Sequence, residues 1–110
     1  MNIVCPANSA DEVEQLIQAG ANELYIGYAP IKYSQKFSPL ASANRRYHSD
    51  SSFSDKSELT RAVKIASSQA VPVNLAVNSP YYTEEQYPLV MKQIHDAAAA
   101  GIRAIIAADI

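Results

Sequence analysis

The sequence predicts the first half of a TIM-type (β/α) barrel, about four βα units with parallel strands in sequential order. Three observations predict it. A helix runs into a small residue and then a short apolar strand three times over. Gln18-Ala19-Gly20-Ala21 leads into Leu24-Tyr25-Ile26-Gly27, Ser68-Gln69-Ala70 into 71–77, and Ala99-Ala100-Gly101 into 104–108. A fourth strand-like stretch, Ile3-Val4-Cys5-Pro6, opens the chain, and parallel strands need such helical crossovers between them. The strands are also near-continuous apolar runs, as in a sheet covered on both faces or closed into a barrel. A doubly wound sheet is the rival, but Cys5-Pro6-Ala7-Asn8-Ser9 carries no glycine-rich phosphate fingerprint after the first strand.

Each element has its own signal. The strands are expected near 2–5, 23–27, 72–77 and 104–108, with three helices over one face. Helix one is announced by Ser9-Ala10-Asp11-Glu12, a capping box in which Ser9 and Glu12 satisfy each other's amides. Val13, Leu16 and Ile17 form its apolar face, and Gly20 suits a left-handed cap. Helix two starts near Ser54-Asp55 and buries Leu59, Ala62, Val63 and Ala66, at i, i+3, i+4, i+7 spacing. Ala70 stands where Gly20 and Gly101 stand, so this helix is expected to end in a different shape. Helix three follows a second box, Thr83-Glu84-Glu85-Gln86. Pro88 moves its true start toward Tyr87, and Leu89, Val90, Ile94, Ala97 and Ala98 supply its buried side.

Composition narrows the class. The 110 residues are 48% hydrophobic, enough for one domain that buries roughly two thirds of its unfolded surface. No apolar run approaches the roughly 20 residues of a membrane span, and no basic signal-peptide start is present. No membrane partner is expected, and a cytoplasmic location is. Cys5 is the sole cysteine, so no internal disulfide forms, and no His/Cys cluster points to a metal site. The net charge of −2 gives no field for nucleic acid over the molecule as a whole.

The distribution of charge says more. Between Glu23 and Asp50 there is no acidic residue, while Lys32, Lys36, Arg45, Arg46 and His48 alternate with Tyr25, Tyr28, Tyr33, Phe37 and Tyr47. No periodic pattern is sustained. Residues 28–53 read as one long, basic, tyrosine-rich βα loop, where such loops ordinarily run about 2–6 residues and loops beyond about 12–15 are usually functional or disordered.

Several motifs together resemble the collagenase-like peptidases, peptidase family U32. They are Val4-Cys5-Pro6-Ala7, Gly20-Ala21-Asn22-Glu23-Leu24-Tyr25-Ile26-Gly27, Asn44-Arg45-Arg46 and Ser52-Phe53-Ser54. Further along come Val71-Pro72-Val73-Asn74-Leu75-Ala76-Val77-Asn78, Tyr82-Thr83-Glu84-Glu85-Gln86-Tyr87-Pro88 and Ala104-Ile105-Ile106-Ala107-Ala108-Asp109-Ile110. The resemblance spans essentially the whole chain. It implies the N-terminal portion of a longer barrel protein, 1–110 being part of one domain, and a chain that alone is inactive. It implies a peptidase by family name, or an iron–sulfur-dependent, oxygen-independent hydroxylase of RNA bases or quinone precursors. In some relatives a [4Fe-4S] cluster is held by four cysteines further along; none of them exists here, and no cofactor is expected in this chain. Asn8 and Ala70 stand where the family usually has glycine.

In (β/α) barrels the chemistry sits at the C-terminal ends of strands and in the loops that follow. That rule selects Tyr28, Asn78 and Asp109 as candidate substrate-binding residues, with backbone satisfaction as the plainer alternative for the last two. Arg45 and Arg46 are candidates because guanidinium groups grip carboxylates and phosphates bidentately and neighbouring tyrosines offer stacking faces. A solvated basic loop is the plainer reading. Cys5 lies just before a helix N-terminus, which can activate a thiol, yet a lone cysteine is mostly a small buried hydrophobe. His48 and His95 lack metal-ligand spacing, His95 reads as a surface residue, and no serine sits in a nucleophile elbow. No catalytic residue is assigned. The competing readings are an enzyme fragment, a non-catalytic module whose basic loop binds RNA or an anionic small molecule, and an inactive half-barrel remnant. The partner expected from two open sheet edges is the remaining half of the barrel or another copy of the chain.

Overall fold

The computed structural model describes residues 2–28, 53, 55–77 and 83–107. In chain order these form β1 (Val4–Pro6), α1 (Ala10–Gln18), β2 (Glu23–Ile26), α2 (Lys56–Ser68), β3 (Val73–Val77), α3 (Tyr87–Ala100) and β4 (Ala104–Ala107). The four strands form one sheet in the order β1-β2-β3-β4, every neighbouring pair parallel. The helices form one layer, α1 packed on α2 and α2 on α3. The expected order, direction and helix layer are all present.

The repeated helix-to-strand joint is one motif used three times. After α1 the amide of Gly20 donates to the Ile17 carbonyl and that of Ala21 to Leu16, both at 3.0 Å. After α2 the pair is Ala70 to Ser67 and Val71 to Ala66; after α3 it is Gly101 to Ala98 and Ile102 to Ala97. This is the double-bonded left-handed helix end in which the following apolar residue packs back on the helix. Ala70 adopts it too, at φ 59°, beside Gly20 at 113° and Gly101 at 103°. The expectation of a different shape at Ala70 is therefore corrected. Two hydrogen bonds and the buried Val71 side chain outweigh the roughly 1–2 kcal/mol that a side chain costs in the left-handed region.

Each joint places its strand three residues on, at Glu23, Val73 and Ala104. The pairing then slips by one residue per unit. Leu24, four past Gly20, pairs with Val73, three past Ala70. Asn74, four past Ala70, pairs with Ala104, three past Gly101. Both steps have the same sense.

The core lies between sheet and helices, with Leu24, Ile26, Val73, Leu75 and Val77 meeting Val13, Leu59, Ala62, Val63, Val90 and Ala97. Burying each large aliphatic there contributes about 1.5–3 kcal/mol. β3 is buried along its whole length, whereas all four residues of β4 are exposed. Helix starts differ in detail from the sequence reading. Ser9 makes no side-chain cap, and Glu12 accepts instead from the Asn8 amide at 2.9 Å. A carboxylate there takes a charge-assisted bond while still facing the positive helix end. Asp55 caps α2, accepting from the Ser57 amide at 2.8 Å. Gln86 reaches back to the Thr83 amide at 2.7 Å, and α3 begins at Tyr87 as Pro88 requires. Ala98 is exposed rather than buried, and the buried polar Gln93 takes a place on the inner face.

Two substitutions test the joint. Ala70→Gly relieves a left-handed alanine and is expected to raise the thermal midpoint by a few degrees, about 0.5–1 kcal/mol. Gly101→Ala is expected to lower it, costing at least about 1 kcal/mol of stability, because φ is +103° and the new Cβ would stand 3.1 Å from Val63 Cγ1. Melting curves followed by circular dichroism check both; a lower midpoint for Ala70→Gly contradicts this account of the joint.

Candidate functional site

Parallel strands put all their C-terminal ends on one side of the sheet. That side carries Ala7 and Asn8 after β1 and Gly27 and Tyr28 after β2. Ala7 donates its amide to the Tyr25 carbonyl at 3.0 Å, holding the exit of β1 against β2. The exit of β2 is held differently. Tyr28 and Phe53 form an isolated parallel bridge, and the Phe53 amide donates to the Gly27 carbonyl at 2.7 Å. Residues 29–52 therefore leave and rejoin the described structure at one point, the C-terminal end of β2.

Tyr28 is buried, 3% exposed, and packs in the core with Phe53. Its hydroxyl points to Asp96 of α3, at 3.4 Å from Oδ2, long for an O–H···O bond. Burial first, and then the negative charges of Asp96 and Asp55 with the Asp96 hydrogen bond, push the phenol up to about 12. Tyr28 is thus a neutral donor at any physiological pH. Asp96 is shared with two lysines, Lys92 at 3.3 Å and Lys56 at 3.6 Å. Burial raises the Asp96 carboxyl, but the Lys92 hydrogen bond and the Lys92 and Lys56 charges more than offset this and leave it below the usual carboxylate value. One residue of α3 thereby connects the exit of β2 with the start of α2.

Of the five candidate substrate-binding residues, Tyr28 alone lies within the described residues. Arg45, Arg46, Asn78 and Asp109 lie outside them, as does His48. Cys5 is half-buried in β1, opposite Leu24. His95 is exposed on α3. Among the described residues no group of three or more His, Cys, Asp or Glu could hold a metal ion, and no helix is long and apolar enough to cross a membrane.

Sequence reasoning missed three polar positions. Asp96 was not singled out, its neighbour His95 alone being read as a surface residue; the available signal was Lys92 four residues earlier on the same helix. On the sheet face away from the helices, Asn74 donates to the Glu23 carboxylate, which also accepts from Asn2 at 3.3 Å. Among the described residues Asn74 Oδ1 has no partner, and neither does the amide of Gln93, which is 1% exposed. A lone polar residue inside an apolar run marks a candidate of this kind, but its partner sits on another element and cannot be read from spacing.

The Tyr28 environment predicts a pH effect of definite sign. A phenol whose folded value is raised from 10.0 to about 12 contributes stability that is whole below pH 10 and lost as pH rises through 12. Over that window unfolding is expected to become easier by up to about 2–3 kcal/mol, and Tyr28→Phe should remove this share of the slope. Urea titrations at pH 9 to 12 on both proteins check it; identical slopes would refute the assignment.

The geometry can be set beside known proteins. No curated protein and no solved structure matches the chain. The model of Peptidase family U32 matches residues 8–110, from the exit of β1 through the last residue. That span contains every helix, all three joints and the Tyr28–Phe53 bridge, so the chain belongs to peptidase family U32.

Proposed function

We propose that this chain supplies four consecutive βα units of a (β/α)-barrel enzyme of the collagenase-like peptidase type. Residues 29–52 are its substrate-gripping segment. The observation that carries this reading is the double tie of Phe53 to Gly27 and Tyr28, at the C-terminal end of the parallel strand β2. Barrel enzymes place their substrate there. The one-residue slip per unit supports the barrel, since eight such steps give the shear of eight that closes a (β/α)8 sheet.

Within the segment, Arg45 and Arg46 form the anionic anchor, each able to grip a carboxylate or phosphate with two parallel hydrogen bonds. Asn78, directly after β3, and Asp109, two residues past β4, stand at the same end of the sheet by chain position and orient the bound group. For a peptidase the anion is a peptide carboxylate; for an RNA-base hydroxylase it is a backbone phosphate. A [4Fe-4S] cluster needs four thiolates. Cys5, the sole cysteine, is half-buried within β1. These residues do not fit such a cluster, and no step through it is drawn from this chain.

The double variant Arg45→Ala/Arg46→Ala tests the anchor. Binding of a labelled gelatin peptide and of a labelled RNA oligonucleotide is read by fluorescence anisotropy, and gelatin cleavage is read in parallel. The anionic ligand that binds should lose a few kcal/mol, roughly tenfold to several hundredfold. Circular dichroism should stay unchanged. Lysine at both positions should restore only part of the affinity, because it lacks the planar fork. Unchanged affinity for both probes in the alanine variant would remove the segment from the site.

A further inference from the structure

Asp96, the one acidic residue of α3, has a side chain only 13% exposed, whereas the two lysines it meets, Lys56 and Lys92, are 56% and 60% exposed. Lys92, four residues earlier on the same helix, could neutralise a carboxylate standing out in solvent. That pair alone gives no reason for Asp96 to turn inward, where a carboxylate loses hydration. The reason lies in what it meets there. Oδ2 faces the Tyr28 hydroxyl at 3.4 Å, and Oδ1 faces the Lys56 ammonium at 3.6 Å.

Those two contacts fall on either side of one stretch of chain. Positions 29–52 leave from Tyr28 and return to Phe53, and Lys56 opens α2 three residues later. Tyr28 and Phe53 are held side by side by one isolated bridge and by the Phe53 amide bond to the Gly27 carbonyl. A ladder of one rung opens more readily than a strand inside a sheet. α3, by contrast, is anchored in the core by Val90, Gln93 and Ala97. A group carried on a packed helix sets geometry more tightly than one carried on a loop.

We propose that Asp96 is a positioning residue for the substrate-binding end: by holding Tyr28 and Lys56 with its two oxygens, it fixes where positions 29–52 leave and rejoin the fold. Asp96 acts through Tyr28 and Lys56 and touches no ligand itself. Its consequence for binding rests on the anion site proposed above, whereas the clamp itself does not. Lys92 stands apart, because its bond to Oδ2 stays within α3 and ties no second element. A local charge effect would treat the two lysines alike; the clamp separates them.

Hydrogen exchange of the 110-residue chain, read by NMR, tests the clamp at the Phe53 amide. Tyr28→Phe, Lys56→Met and Asp96→Asn should each speed its exchange roughly tenfold. Exchange at Leu24 and Arg103, whose amides bond the Pro72 and Val73 carbonyls at 3.0 and 2.9 Å, should stay as in the parent. Lys92→Met should leave Phe53 within about twofold of the parent, and so should Lys56→Arg, which keeps the charge. Affinity for the gelatin or RNA probe, whichever binds, should fall about tenfold to a hundredfold in Tyr28→Phe and Lys56→Met, as misplacement by about 1 Å brings. It should hold in Lys92→Met.

Unchanged Phe53 exchange, equal effects of Lys56→Met and Lys92→Met, or exchange that rises together at Phe53, Leu24 and Arg103 would overturn the inference. So would a loosened Phe53 with undiminished affinity, where Arg45→Ala/Arg46→Ala does weaken binding. If that double variant binds normally, the anion site fails, and Phe53 exchange alone decides the clamp.

Discussion

The left-handed helix end is the constraint on which the rest of this structure depends. It appears after each helix with the same two hydrogen bonds and the same three-residue step into the next strand. A helix ended this way cannot drift by a residue, because the amide pair fixes where the chain turns. Strand position along the sheet is therefore set locally, before any ladder forms. Ladder hydrogen bonds then only have to accept the slip the joints dictate. Asn22 shows the coupling at close range: its amide donates to the Ile3 carbonyl at 2.8 Å and its side chain accepts from the Ile3 amide. A residue two past Gly20 thus holds the edge of β1 while β2 is still to begin.

Most of the architecture was legible because it rests on such local chemistry. The helix faces, the Asp55 cap and the start at Tyr87 follow from spacing and from proline, and sheet order follows from the crossovers. What was not legible depends on long-range compensation. Ala70 reads as a poor left-handed residue by itself; burial of Val71 and two amide bonds reverse the balance. Glu12 prefers the Asn8 amide to the Ser9 amide, a choice between two donors one residue apart that no pattern separates. At the candidate site, Tyr28 was found through its place after a strand, yet Asp96 was not. Its role comes from a contact across 68 positions of sequence, while its neighbours on the helix suggest only a solvated face.

The two faces of the sheet explain why polar residues sit where they do. The helix side is almost wholly apolar, so Tyr28 can bring a hydroxyl there only with a partner, since an unpaired one costs about 1–3 kcal/mol. Asp96 is that partner, and Lys56 and Lys92 keep it charged. On the opposite face Glu23, Tyr25 and Asn74 stand among Val4, Pro6, Ala76 and Ile106, and among the described residues the Asn74 carbonyl oxygen is unmatched. That face is mixed rather than dry, as expected of a surface that packs side chains from several strands together instead of receiving a helix.

The described polar ties are also distributed unevenly along the strand axis. All three joints, the Asn22 clamp and the Asn2–Glu23–Asn74 chain lie at or before the N-terminal ends of strands. At the opposite ends, the Ala7 amide is tied to the Tyr25 carbonyl and the Phe53 amide to the Gly27 carbonyl, beside the Tyr28–Phe53 bridge. Barrel folds divide their labour in this way, with the lower face holding the structure and the upper one free to vary. The exit of β2 is reinforced by the buried Tyr28, whose hydroxyl meets Asp96 of α3.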